Sequence, residues 1–67
     1  MPLFYITNES TEDTFDFSEN LQEAIRMAKE AAQQGPAGEP VSVEVDGKTI
    51  RQFVRMPDGK ISEQKVA

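Results

Sequence analysis

The chain lacks three residue types altogether, since its 67 residues include no cysteine, no histidine and no tryptophan. Without cysteine there are no disulfides. Without cysteine and histidine, the usual sites for zinc, copper, iron–sulfur clusters and haem cannot be built. The absence of histidine also removes the commonest general base and the usual nucleophile pairs. We therefore expect no cofactor, no metal site and no enzymatic activity, and the short chain can hardly wall off a substrate pocket.

Long apolar runs and an excess of positive charge are absent as well. No apolar run is long enough to cross a bilayer, and the opening MPLFYITNES lacks the basic start and apolar stretch of a signal peptide. Twelve acidic against seven basic residues give a net charge of −5, which argues against general affinity for nucleic acid or anionic membrane. These features predict an acidic cytoplasmic protein with no small-molecule substrate.

The length predicts one small domain over residues 1–67. A chain of this size buries only about 60% of the surface that its unfolded form exposes, so its core is marginal. Binding to a partner, including a second copy of the chain, is one way to gain buried area.

The charges are segregated along the chain. Residues 1–25 carry acids and no bases: Glu9, Glu12, Asp13, Asp16, Glu19 and Glu23. Between residues 48 and 65 bases dominate: Lys48, Arg51, Arg55, Lys60 and Lys65, against Asp58 and Glu63. The favoured interpretation is that the two halves lie side by side and attract each other. The alternative is a basic patch on one face, hidden by the acidic average.

One helix and its flanking strands are visible in the pattern. LFYIT (residues 3–7) is typical of a strand, and TFDF (residues 14–17) is either a short strand paired with it or the loop before the helix. Ser18 or Asp16 is the expected N-cap, and Gly35 followed by Pro36 is the expected end, with Gly35 left-handed. Apolar residues at three-to-four spacing predict a buried stripe of small side chains: Leu21, Ala24, Ile25, Ala28, Ala31 and Ala32.

Two Asp-Gly steps follow, and both fit turns between strands. Asp46-Gly47 favours a two-residue type I′ hairpin turn after the strand 41–45. PDG (residues 57–59) fits a type I turn with a glycine bulge, before a last strand from Lys60 to about Val66. Neither step has the oxygen spacing of a calcium loop or the glycine–lysine–hydroxyl pattern of a phosphate loop. The sequence therefore predicts an α+β fold of order β(β)αβββ: an antiparallel sheet, made of a C-terminal three-stranded meander plus the N-terminal strand, with one helix on one face.

The hairpin turn also predicts which side chains share a sheet face. It pairs Val45 with Lys48, Val43 with Ile50, and Val41 with Gln52. The face under the helix is then expected to carry Val41, Val43, Val45, Ile50, Val54 and Met56. The opposite, uncovered face is expected to carry Ser42, Glu44, Thr49, Arg51, Phe53, Arg55, Ile61, Glu63 and Lys65.

An aromatic between two arginines on an uncovered face has three interpretations. Phe53 is covered by the N-terminal segment or turned into the core by a β-bulge, which Gln52 on the supposed core face makes reasonable. Alternatively, the partner-binding residues Arg51, Phe53, Arg55 and Ile61 form a protein interface, which suits a homodimer. In the third interpretation a nucleic-acid base stacks on Phe53 while the arginines contact phosphates.

The first half of the chain supplies a resemblance. FDFSENLQEAIRMAKEA (residues 15–31) resembles the strand-to-helix step of small antitoxins of toxin–antitoxin pairs, whose fold packs one helix on an antiparallel sheet; the whole pattern is also similar to several small bacterial domains of unknown function. The resemblance covers less than half of the chain. The glycine-and-cysteine turn and the DNA-binding segment of those antitoxins are missing, so no residue role is carried over.

The best functional hypothesis from the sequence is a non-enzymatic protein-interaction module that associates with itself through the open sheet face. The alternative is a module for single-stranded nucleic acid, or an antitoxin-like module, that uses a basic and aromatic face. The carboxylates Asp13 and Asp16, with Tyr5 or Ser18 nearby, are expected to be solvated and not catalytic.

Overall fold

A computed structural model describes residues 2–64 and residue 66. The elements in chain order are β1 (Phe4–Asn8), β2 (Asp13–Ser18), α1 (Leu21–Gln34), β3 (Val41–Val45), β4 (Lys48–Arg55) and β5 (Ile61–Gln64). The strands form one five-stranded sheet in the order β2-β1-β3-β4-β5, with every neighbouring pair antiparallel. The helix contacts all five strands. The predicted α+β class is confirmed, and residues 14–17 belong to a strand and not to a loop.

The last strand is shorter than predicted. β5 ends at Gln64, and Val66 is not in a strand. The predicted position of Lys65 lies outside the described residues.

The helix packs the predicted stripe against the sheet. Ala24, Ile25, Ala28 and Ala32 are buried, and they meet Ile6, Val41 and Val43 in one cluster. Small alanine side chains let the helix lie close to the strands, so that branched residues of the central strands fill the space between the layers.

Both ends of the helix differ from the predicted caps. The N-cap is Asn20, whose side-chain oxygen accepts from the Glu23 amide at 3.0 Å. Ser18 ends β2 instead, and its hydroxyl accepts from the Asn20 amide and donates to the Glu23 carboxylate. At the other end Gly35 has φ −90°, so the predicted left-handed residue is wrong, although its amide donates to the Ala31 carbonyl. Asp16, Ser18 and Asn20 all precede the first turn and could each serve as a cap. Because Asp16 and Ser18 are paired with β1, Asn20 caps the helix.

The two Asp-Gly steps are turns, as predicted. Asp46 and Gly47 both have positive φ, 52° and 76°, which is the type I′ pattern. Gly59 has φ 90°, and Met56 and Lys60 are joined by a backbone hydrogen bond across the second turn.

The register of the hairpin corrects the predicted sheet faces. Val45 lies opposite Lys48 as expected. Counted away from the turn, the register shifts between Glu44 and Val43, so that Val43 lies opposite Arg51 and Val41 opposite Phe53. Ile50 is the extra residue of this β-bulge. Because side chains alternate with a period of two, one extra residue moves everything after it to the other face.

The bulge turns Phe53 into the core, where it is 0% exposed. Met56, which the regular register placed under the helix, is 40% exposed. Val54 follows Phe53 in the strand and pairs with Ser62, so it lies on the face away from the helix. The predicted core positions of Val54 and Met56 are therefore wrong, and the bulge is the physical reason.

The predicted attraction between the acidic and basic halves is also wrong. The acidic β2 is separated from β4 by β1 and β3, a distance on the order of 14 Å at the usual strand spacing. In the described part of the chain the ion pairs are Arg26–Glu30 and Arg51–Glu63, and neither joins the two halves. The sheet order thus keeps the charges segregated across the molecule.

Within the described residues, no helix has the length and apolar character needed to cross a membrane.

Candidate interaction surface on the open sheet face

The four residues predicted to bind a partner lie on the helix side of the sheet. Phe53 is buried beneath α1, with the Lys29 ammonium 5.5 Å from its ring centroid. Arg55 lies opposite Ile61, and Ile61 packs against the core cluster. The expectation that Phe53 is the exposed centre of an interface is therefore wrong, because the folded chain offers a partner no access to its ring.

Arg51 is occupied by contacts within the chain. Its guanidinium donates two hydrogen bonds to Glu63, one of them 2.7 Å long, and its central carbon lies 5.9 Å from the Phe53 centroid. The hydrogen bond from Arg51 lowers the pKa of the Glu63 carboxyl, and the hydrogen bond to Glu63 raises the pKa of Arg51. Both side chains are partly exposed, so the pair contributes little stability. The ion pair holds the Arg51 guanidinium over the ring of Phe53, so that this group does not point toward a partner.

The face of the sheet away from the helix, called here the open face, follows from the register. Three rows of opposed residues cross it: Phe17, Tyr5, Glu44 and Thr49; then Thr14, Thr7, Ser42, Gln52 and Gln64; then Val54 and Ser62. These rows contain hydroxyls, amides and aromatic rings but neither lysine nor arginine. A surface with so few charges loses little hydration energy when another protein covers it.

An exposed aromatic pair is the main apolar feature of the open face. The rings of Tyr5 and Phe17 lie 6.4 Å apart between centroids, at 48°, within the range of favourable tilted pairs. Tyr5 is 40% and Phe17 is 58% exposed, and Phe15 on the same edge strand is 46% exposed. Exposed aromatics that lie together are typical of protein interfaces.

A polar ladder runs beside the aromatic pair. Thr7 shares a 2.8 Å hydrogen bond with Thr14 and donates to Glu44 at 2.9 Å, and Thr49 donates to the other Glu44 oxygen at 3.4 Å. The carboxylate of Glu44 is thus partly satisfied by hydroxyls of its own sheet. The ladder spans four strands and keeps this part of the face ordered.

A serine–carboxylate contact was not foreseen from the sequence. Ser42 donates to the Glu9 carboxylate and is 0% exposed. Glu9 reaches β3 because its amide is held by the Pro40 carbonyl. A buried hydroxyl offers no access to a substrate, so we interpret the contact as structural. No spacing in the sequence could reveal it, because the two residues lie 33 positions apart.

A shallow cavity lies at the opposite edge of the sheet. Its lining consists of Lys48, Thr49, Ile50 and Val66. The bulge at Ile50 interrupts the strand at this position, which is where irregular edges commonly form concave surfaces. The cavity and the aromatic pair are therefore at the same end of the strands, on opposite edges of the sheet.

Comparison with protein-family models, with curated proteins and with solved structures finds no significant match. The likeness of residues 15–31 to antitoxins stays a resemblance of pattern.

Proposed function

We propose that the protein is a non-enzymatic protein-interaction module that binds a second copy of itself through the open face. The observation that carries the proposal is the exposed Tyr5–Phe17 pair on a sheet face without basic side chains. In a small chain with a marginal core, such a pair is an apolar surface that association would remove from water.

The size of the open face sets the strength of this association. Five strands at about 4.8 Å spacing, each about 17 Å long, give a face of roughly 400 Å² per copy. A standard stable interface buries about 800 Å² per partner. We therefore expect a reversible dimer with a dissociation constant in the micromolar range and not a permanent one.

Symmetry and charge select one arrangement of the two sheets. A two-fold axis parallel to the strands stacks β2 of one copy over β5 of the other, whereas an axis across the strands stacks β2 over β2. An axis across the strands brings the two acidic β2 edges together. An axis parallel to the strands brings the acidic edge of one copy near Lys48 of the other. Electrostatic complementarity therefore favours the axis parallel to the strands.

The position of Thr49 fits the same arrangement. With the axis parallel to the strands, Tyr5 and Phe17 of one copy lie over Thr49 of the other, which is in the same row of the open face. The contact occurs twice, once in each direction, so the assembly closes as a dimer. Sheets stacked in this way form the aligned packing seen in β-sandwiches.

The nucleic-acid alternative loses its basis in this geometry. Phe53 is buried and cannot stack on a base, and Arg51 is held by Glu63. The exposed aromatics instead lie on the acidic half of the chain, where phosphate groups would be repelled.

The test is the solution mass from light scattering across micromolar to millimolar concentration. We expect the mass to rise toward twice 7.5 kDa. Phe17→Ser and Thr49→Arg should each keep the protein monomeric, because one removes the aromatic contact and the other places a charged side chain under the aromatic pair of the other copy.

Met56→Ser is the matched control, since Met56 is also exposed but lies past the end of β4, at the other end of that strand from Thr49. It should dimerise like the unmodified chain. A mass that stays at 7.5 kDa throughout, or a dimer unaffected by Phe17→Ser, would overturn the proposal.

A further inference from the structure

β2 is an edge strand with an open outer side. Among the described residues it pairs with β1 alone, and five of its six residues are exposed. Phe17 donates its amide to the Asp16 carboxylate at 2.9 Å. Of the features that usually prevent another strand from adding to a sheet, β2 has a β-bulge at Phe15 but neither lysine nor proline.

The side chains of β2 have different character on the two sheet faces. Asp13 and Asp16 lie opposite Asn8 and Ile6, on the helix side, while Phe17 lies opposite Tyr5, on the open face. The two carboxylates share a face, although they are three positions apart, because Phe15 is the extra residue of a β-bulge. A strand that pairs with residues 16–18 would place alternate side chains beside the Asp16 carboxylate and beside the Phe17 ring.

The surrounding charges are of one sign. The loop before β2 adds Glu12, and no basic residue occurs before residue 26. We propose that β2 accepts, as a sixth strand, an extended segment of another protein in which basic side chains alternate with apolar ones. Main-chain hydrogen bonds supply affinity in this binding mode, and the alternate side chains supply specificity.

A second copy of this chain does not fit the same edge. Pairing β2 with β2 would bring the Asp13 and Asp16 carboxylates of both copies together, at a cost from like-charge repulsion. The other edge strand, β5, has the sequence ISEQ, with Glu63 and no base. Face-to-face dimerisation uses the open face and leaves the edge of β2 accessible, so this inference goes beyond the proposed function and does not depend on it.

The probe is a blocked synthetic peptide of about eight residues in which lysine alternates with valine, a usual strand length. It is titrated into the ¹⁵N-labelled full chain at low salt, and amide shifts and hydrogen exchange are followed by NMR. Saturable shifts confined to residues 13–18, with slowed exchange of their amides, are expected. Added salt should weaken binding, because it screens exposed charges.

Two matched peptides and two matched variants complete the test. A peptide alternating glutamate with valine, and one with the lysines and valines in separate blocks, should not bind. Asp13→Asn with Asp16→Asn should weaken binding about tenfold, because two exposed charge pairs are lost. Asp46→Asn with Asp58→Asn changes the net charge equally, keeps the turns, and should bind like the unmodified chain.

Several outcomes would overturn the inference. They are shifts centred on β5 or on α1, equal binding of the block peptide, an equal loss in the Asp46 and Asp58 control, or no saturation at millimolar peptide. If the peptide binds while the chain stays monomeric, the proposed self-association fails and this inference stands. If the chain dimerises and the peptide does not bind, this inference fails and the proposed self-association stands.

Discussion

At the scale of single residues, the two phenylalanines Phe53 and Phe17 show how little an aromatic in an alternating pattern reveals about its side of a sheet. Phe17 stands between Asp16 and Ser18, and Phe53 stands between Gln52 and Val54. Phe53 is 0% exposed and Phe17 is 58% exposed. The difference comes from one bulge and one strand order, and neither is encoded in the residues next to the rings.

This contrast predicts opposite effects of the same substitution. Phe53→Ser should unfold the chain or nearly so, because truncating a buried phenylalanine costs about 3–5 kcal/mol, comparable with the whole stability of a small protein. Phe17→Ser should leave the urea midpoint almost unchanged for the monomer. Circular dichroism during urea unfolding at micromolar concentration measures both. A folded Phe53→Ser with an unchanged midpoint would show that Phe53 is not in the core.

At the scale of elements, the sequence predicts the helix, both turns and the strands, because each has a local signal. The alanine stripe and the Asp-Gly pairs specify their own geometry. The bulge at Ile50 has only an indirect signal, which is the polar Gln52 on the core face of a regular hairpin, and no residue of KTIRQFVR marks its position. The bulge is favoured because burying Phe53 in place of Gln52 lowers the free energy of the folded chain. The residues of the open face could therefore not be predicted from the hairpin turn alone.

Deletion of residues from β4 tests the bulge directly. Removing Ile50 should preserve the fold at a cost of about 1–2 kcal/mol for its lost partial burial, because the regular pairing of Val43 with Arg51 and Val41 with Phe53 is kept. Removing Ile50 and Gln52 together should unfold the chain, because regular pairing from the turn then places Phe53 opposite Ser42, on the open face. Thermal unfolding followed by circular dichroism compares the two, and equal destabilisation would contradict the bulge assignment.

At the scale of the whole molecule, the sheet order converts charge segregation along the sequence into segregation in space. Most acids of residues 1–25 lie in or next to β2, while the Glu9 carboxylate reaches Ser42 in β3. Lys48 begins β4, and Lys60 directly precedes β5. The segregation was visible in the sequence, but its direction across the sheet depends on the strand order. A two-fold axis parallel to the strands then places the aromatic pair of one copy over Thr49 of the other.

The most direct test of this account is an isotope-filtered NOE spectrum of a sample that mixes ¹³C-labelled and unlabelled chains, at a concentration where the mass has doubled. We predict contacts from the rings of Tyr5 and Phe17 in one copy to the methyl group of Thr49 in the other. Contacts between the two Phe17 rings, contacts that involve α1, or no contact between copies would contradict it.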